Sequence, residues 1–133
     1  VVRCLEAGAE VLVNGDVALA EACGVGVHLR ASQLATLTGR PLPEGRPVFA
    51  SCHDAAELAR AEALGCDAVV LGPVLPTASH PGVATLGWQG FAALREHVSL
   101  PIYALGGMTP AHVDEARRHG AQGIAAIRGL WPG

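Results

Sequence analysis

The sequence contains no lysine, and charged residues of either sign are scarce. All nine basic residues among the 133 are arginine, charged residues make up 16%, and the formal net charge is −3. Without lysine, Schiff-base chemistry and every lysine-based phosphate clamp are excluded. A slightly acidic chain with no cluster of basic residues also lacks the electrostatic footprint that binds phosphate backbones. We therefore expect no nucleic-acid partner.

Long apolar runs and paired cysteines are missing as well, and no secretory signal is visible. No run of about 18 apolar residues occurs, so we expect no membrane partner. The chain opens Val-Val-Arg-Cys, with no basic and apolar signal pattern. Cys4, Cys23, Cys52 and Cys66 form no Cys-x-x-Cys pair of the kind that binds zinc. We predict four buried, unpaired thiols and a reducing, cytoplasmic location.

What the sequence does have is aliphatic residues in a repeating arrangement. Half of the residues are hydrophobic, which suits one domain over residues 1–133 with a substantial core. Four times, an alanine-rich stretch ends at a glycine and a β-branched run follows, at Gly8, Gly24, Gly65 and Gly120. Glycine just past a helix end supplies a left-handed cap at no steric cost. The pattern predicts alternating helices and strands.

Six short runs are apolar on both faces, which is typical of parallel strands covered by helices. They are residues 11–14, 25–29, 48–51, 68–72, 102–106 and 123–127. Their starts are about 22 residues apart, the period of a (β/α) barrel or a doubly wound sheet. Asp54 to Glu57 read as a capping box that opens a helix to Leu64. Thr109-Pro110 predicts a second helix start, with the helix ending at about His119.

The loops after parallel strands are where such folds bind ligands, and two of them suggest phosphate. Gly106 and Gly107 separate a strand from the helix start at Thr109-Pro110. Glycines let the backbone approach an anion closely, and a helix N-terminus adds free N–H groups. The alternative is a tight turn with no ligand. Arg128 could complete the site from the final segment, or be an ordinary surface arginine.

Ser51 and His53 place a hydroxyl and an imidazole two residues apart at a strand end, with Cys52 facing the opposite way. Histidine is the natural general acid or base near neutral pH, although a structural, hydrogen-bonded histidine is the alternative. Asn14 and Asp16 offer oxygen ligands at another strand end. One carboxylate is thin support for magnesium, and capping of the next helix is the favoured interpretation.

A long loop without periodicity carries Thr77, Ser79 and His80. Two small hydroxyl side chains and an imidazole could meet an oxyanion of a bound substrate there. The alternative is a polar surface loop.

Taken in chain order, these motifs resemble the thiamine phosphate synthase/TenI superfamily. The matching segments are V-N at Asn14, G-V-H-L before Arg30, S-C-H at Ser51, G-P-V-L-P-T-A-S-H ending at His80, A-L-G-G-M ending at Met108, and G-I-A-A-I ending at Ile127. The resemblance implies a (β/α)8 TIM barrel that binds thiazole phosphate or its products. It places the phosphate at the loop of Gly106 and Gly107 and at the loop of Ile127, Arg128 and Gly129.

The family includes two activities. A synthase joins a pyrimidine pyrophosphate to thiazole phosphate, and a TenI-like tautomerase aromatises the thiazole. The synthase pattern has adjacent Asn-Asp, whereas Gly15 follows Asn14 here and Asp16 comes one position late. Gln33 stands at the position of a second acidic magnesium ligand, and His80 at that of a lysine that meets the pyrophosphate. The site therefore lacks charges that a diphosphate leaving group needs.

The tautomerase histidine is matched by His53, and we expect Ser51, Thr77, Ser79 and His80 to contact the substrate. Tautomerisation moves protons and needs no metal, so we expect no cofactor, with magnesium only if synthase activity is retained. The resemblance favours a TenI-like domain that binds a phosphorylated small molecule. It leaves open whether the chain is catalytic, and full synthase activity remains the third hypothesis.

The resemblance begins at the helix before the third barrel strand, so the first two β/α units have no counterpart. An open six-stranded sheet exposes two edges that pair readily with other chains. We therefore expect self-association or an N-terminal partner domain that covers them. The sequences of several segments also resemble TenI-like domains that follow Nudix hydrolases in bacterial fusion proteins. A non-catalytic accessory domain of such a fusion is the second hypothesis, although no Nudix motif is present.

Overall fold

A computed structural model describes residues 12–76 and 84–125 of the chain. Its six strands form one parallel sheet in sequence order: Leu12–Asn14 (β1), Gly26–Leu29 (β2), Val48–Cys52 (β3), Ala68–Leu71 (β4), Ile102–Leu105 (β5) and Gly123–Ala125 (β6). Sequential parallel neighbours are the order of a (β/α) barrel, since a doubly wound sheet reverses its order part-way. The predicted barrel-type α/β fold with six parallel strands is confirmed.

A helical segment follows each of the first five strands. The helices are Val17–Cys23 (α1), Ala31–Leu34 (α2), Ala55–Ala63 (α3), Gly87–Arg95 (α4) and Val113–Arg118 (α5), the last preceded by a 3₁₀ turn over Pro110–His112. Asp54 caps α3 as predicted, since its Oδ1 accepts the N–H of Glu57 at 2.8 Å. Gly24 closes α1 with φ at 68°, the left-handed conformation that glycine adopts freely. None of the helices described is long and apolar enough to cross a membrane.

The two faces of the sheet differ in burial. Alternate strand residues are fully buried with Leu58 of α3 and Phe91 of α4, and they include Val27, Leu29, Val48, Ala50, Val69, Leu71, Ile102 and Ala104. The opposite face carries His28, Phe49, Ser51 and Tyr103, which are only half-buried. The sequence predicted strands apolar on both faces. Among the strands whose side chains are fully described, only β4 is buried throughout, because the sheet face opposite the helices (the inner face) is partly exposed on the others.

The three cysteines in the described ranges divide into two classes, and Cys4 lies outside those ranges. Cys52 and Cys66 are buried, whereas Cys23 is exposed at the end of α1, so the prediction of four buried thiols is wrong at that position. The reason is that α1 buries Ala20 and turns its last residues to solvent. Burial raises the pKa of Cys52 to about 12, and the nearby Glu57 carboxylate adds to the effect. Cys52 therefore stays protonated and is no nucleophile.

Candidate functional site

The predicted site residues that the structure describes lie at the carboxyl edge of the sheet. Asp16 follows β1, Ser51 and His53 mark the end of β3, and Gly106 and Gly107 follow β5. The parallel strands bring these loops to the same edge, where barrels of this kind bind ligands. The remaining predicted residues lie outside the described part of the chain: Thr77, Ser79, His80, Ile127, Arg128 and Gly129, together with the side chain of Asn14.

The Gly106-Gly107 loop is shaped by the loop after β4. Both glycines have positive φ, 107° and 69°. A Cβ on Gly106 would lie 2.7 Å from the Cα of Pro73, and one on Gly107 would lie 2.8 Å from the carbonyl oxygen of Pro76. The N–H of Leu75 donates to the Gly106 carbonyl at 3.1 Å. Only glycine fits both positions, because a side chain would need a strained backbone and would collide with the neighbouring loop.

The sequence indicated free N–H groups at the helix start after Gly107, but in the structure most of these groups are already used. The Thr109 N–H donates to Nδ1 of His112 at 3.0 Å, the His112 N–H donates to the Thr109 carbonyl at 2.9 Å, and Pro110 has no N–H. The start of the 3₁₀ turn therefore has little to offer an anion. Among hydrogen bonds that join described residues, none uses the N–H of Gly106 or Gly107. Any anion here would depend on the glycine amides rather than on the helix start.

Ser51 is paired with a histidine to which the sequence assigned no role. His28 Nε2 and Ser51 Oγ share a hydrogen bond of 2.7 Å on the open inner face of β2 and β3. Burial lowers the pKa of His28, which favours its neutral form. The available signal was a histidine inside an otherwise apolar strand, one strand away from Ser51. The pair forms a polar spot on a largely apolar surface.

His53 is held by the first turn of α3. Its Nδ1 lies 2.9 Å from Oε1 of Glu57, and the same oxygen accepts the His53 backbone N–H at 2.7 Å. A carboxylate only accepts hydrogen bonds, so Nδ1 carries the proton and Nε2 of the neutral ring presents its lone pair. The His53 side chain is 56% exposed. In the predicted capping box Glu57 would accept the Asp54 N–H, but its Oε1 accepts the His53 N–H instead.

The described side chains at the loops after β1 and β2 do not fit a magnesium ion. Asp16 Oδ1 accepts the N–H of Leu19 at 2.9 Å, which is the capping role favoured by the sequence. Gln33 donates from Nε2 to the Gly15 carbonyl at 2.8 Å and accepts the Arg30 N–H through Oε1 at 2.9 Å. Within the described ranges, no three His, Cys, Asp or Glu residues cluster closely enough to hold a metal.

Comparison of the sequence with known proteins identifies the family of the chain. The sequence model described as thiamine monophosphate synthase matches residues 2–130, nearly the whole chain. The chain belongs to the thiamine monophosphate synthase family. The thiamine-phosphate synthase of Chloroflexus aurantiacus is 36% identical over 124 residues, covering 91% of this chain and 57% of its own length. That of Methanoculleus marisnigri is 40% identical over 125 residues, covering 92% and 59%.

The solved structures agree with this family membership. Thiamine phosphate pyrophosphorylase from Pyrococcus furiosus superposes with a TM-score of 0.69 at 25% identity, over 93% of this chain and 59% of that one. This member of the family therefore spans less than two thirds of the length of its relatives. The family and the barrel-type fold are established, and the predicted roles of individual site residues stay predictions.

Proposed function

We propose that the chain binds a thiazole phosphate and transfers protons on its ring in the manner of the TenI-like tautomerases, with His53 as the general base. The observation that carries the proposal is the contact of 2.9 Å between His53 Nδ1 and Glu57 Oε1. The carboxylate fixes the ring and its tautomer, so Nε2 is left to take a proton from the substrate and return it at another atom. Such a reaction needs no metal.

The phosphate would be held by the backbone of Gly106 and Gly107. Both residues have positive φ, and neither N–H is used in a hydrogen bond with a described residue, so the two amides are available to an anion. Arg128, flanked by Ile127 and Gly129, is proposed as the second half of this pocket. Backbone N–H groups suit a chain without lysine, because they can bind a phosphate without any basic side chain.

The ring of the substrate would lie on the open inner face of the sheet. The hydrogen-bonded His28 and Ser51 are half-buried there and offer polar groups for orientation. Phe49 and Tyr103 stack with their ring centroids 6.1 Å apart on the same face and provide an apolar floor. Thr77, Ser79 and His80 remain proposed contacts from the loop after β4.

Full synthase activity is the second candidate, and the printed names and identities of the relatives favour it. Against it stand the hydrogen bonds that the Asp16 and Gln33 side chains make within the protein, since the described residues there form no magnesium ligand set. Magnesium-dependent formation of product from pyrimidine diphosphate and thiazole phosphate would establish it. An accessory role beside a Nudix hydrolase predicts instead that His53→Ala changes nothing measurable.

The test combines binding and turnover. Calorimetry with thiazole phosphate should show saturable heat, and conversion of the non-aromatic thiazole phosphate tautomer should be visible by NMR. His53→Ala should slow conversion by about 10² to 10⁴-fold while leaving ligand affinity nearly unchanged. His97→Ala is the matched control, because His97 is exposed just beyond the far end of α4. Equal rates for the two variants, or no heat at millimolar ligand in a folded sample, would refute the proposal.

A further inference from the structure

We propose that the loops after β1 and β2 form a metal-independent anion site, in which the guanidinium of Arg30 takes the place of the divalent cation that the family resemblance implies. The chemical class of ligand is a phosphate or diphosphate group. Arg30 would contact the anion, Gly15 and Gln33 would fix the position of Arg30, and the site does not depend on proton transfer by His53.

The first support is the position of the guanidinium over Gly15. A Cβ built on Gly15 would lie 2.8 Å from Nη2 and 2.9 Å from Nε of Arg30. Gly15 also has φ at 74°, a conformation that disfavours any other residue. Because Gly15 has no side chain, the cationic group of one loop lies directly on the backbone of the other. The position where the resemblance implies an acidic metal ligand thus borders a permanent positive charge.

The second support is the role of Gln33, which joins the two loops. Its amide nitrogen donates to the Gly15 carbonyl at 2.8 Å, and its amide oxygen accepts the Arg30 N–H at 2.9 Å. An aspartate or glutamate at position 33 could not make the first of these bonds, since a carboxylate has no donor. The glutamine therefore fixes the relative position of Gly15 and Arg30, and its oxygen is already engaged.

The third support is that no carboxylate in the described ranges forms an ion pair with Arg30. Five of the other arginines in the described ranges use their side chains on carbonyls or carboxylates: Arg40, Arg46, Arg60, Arg95 and Arg118. No such contact joins the Arg30 side chain to a described residue, and Arg30 is exposed at the ligand-binding edge. The nearby Asp16 carboxylate is directed to the start of α1. A guanidinium held this way presents paired N–H groups that match two phosphate oxygens.

Inorganic diphosphate is the probe, titrated calorimetrically at constant ionic strength in EDTA and again in magnesium. Arg30→Gln should weaken binding in EDTA by about tenfold or more, the loss expected for a charge-assisted pair. Arg117→Gln is the matched control, because Arg117 is exposed and makes no side-chain contact with described residues. It should bind within about twofold of the unmodified chain if only the local charge matters.

Arg30→Lys keeps a positive charge but loses the planar fork, so it should bind more weakly than the unmodified chain and more tightly than Arg30→Gln. The comparison of Arg30→Lys with the unmodified chain still tests the inference if Arg30→Gln alters folding. Three results would overturn the inference: no binding in EDTA, tighter binding once magnesium is added, or equal affinities for the Arg30 and Arg117 variants. Thiazole phosphate binding and His53→Ala report on the proposed function separately, so either proposal can fail alone.

Discussion

Replacing Gly72 by alanine should separate the loops that shape the glycine turn. A Cβ on Gly72 would lie 2.2 Å from the carbonyl oxygen of Leu105 and 2.9 Å from its carbonyl carbon. Both are backbone atoms of β5, so relief requires β4 and β5 to move apart by roughly 1 Å. The Leu105 oxygen also accepts the N–H of Val74 at 2.8 Å. The displaced backbone therefore leads directly into Gly106 and Gly107.

The magnitude follows from three contributions. Overpacking against backbone costs about 1–3 kcal/mol, and loss of the hydrogen bond between Val74 and Leu105 costs about 1 kcal/mol. Alanine offsets about 0.4–1 kcal/mol, because it lowers the conformational entropy of the unfolded chain. The free energy of unfolding of Gly72→Ala should therefore fall by about 2 kcal/mol.

Gly123→Ala is the matched control for this variant. Its Cβ would meet Tyr103 Cε1 at 3.7 Å, an ordinary contact, and its backbone does not have positive φ. Urea unfolding followed by tryptophan fluorescence should place Gly123→Ala within about 1 kcal/mol of the unmodified chain, with the same slope. If the two alanine variants unfold at the same urea concentration, the close packing described between the β4 and β5 loops is wrong.

Four further outcomes follow from burial and capping. At pH 8, iodoacetamide should label Cys23 rapidly and spare Cys52 and Cys66 until urea is added, as peptide mass mapping would show; equal labelling rates would contradict their burial. Burial raises the pKa of Cys52 to about 12 and that of Cys66 to about 11 from 9.0, so unfolded thiols lose protons first and stability should decline from about pH 9 upward. Burial lowers the pKa of His28 from 6.5, so the folded state should lose stability as the pH falls through that value; His28→Gln should remove this part of the pH slope, and an unchanged slope would count against it. Asp54→Ala removes the acceptor for the N–H of Glu57 and should cost about 1 kcal/mol in urea unfolding, whereas an unchanged midpoint would mean that the cap contributes nothing.

The strands and the helix starts were predictable because their signals are local. A glycine such as Gly24 ends a helix, and an apolar run such as that of β4 forms a buried strand, wherever the chain goes next. The barrel order came from a resemblance rather than from period alone, since a doubly wound sheet has the same period. Exposure of Cys23 depended on which side of α1 faces the sheet, and a helix of seven residues gives little pattern to decide it.

The candidate site was predictable only in part, because its contacts join loops distant in sequence. The sequence marked Ser51, but its partner His28 is 23 positions away. The placement of Arg30 over Gly15 likewise depends on two loops meeting at the sheet edge. Four expectations stay predictions: the roles of the residues near 80 and 128, the cytoplasmic location, self-association and an N-terminal partner.

The most direct test of the proposed function is an NMR titration of the chain with thiazole phosphate, following the backbone amides and the histidine rings. The account predicts saturable shifts of the Gly106 and Gly107 amides, with concurrent shifts of the His53 ring and no shift at His97. Shifts that cluster away from the glycine turn, or glycine amides that stay unchanged at millimolar ligand in a folded sample, would contradict it.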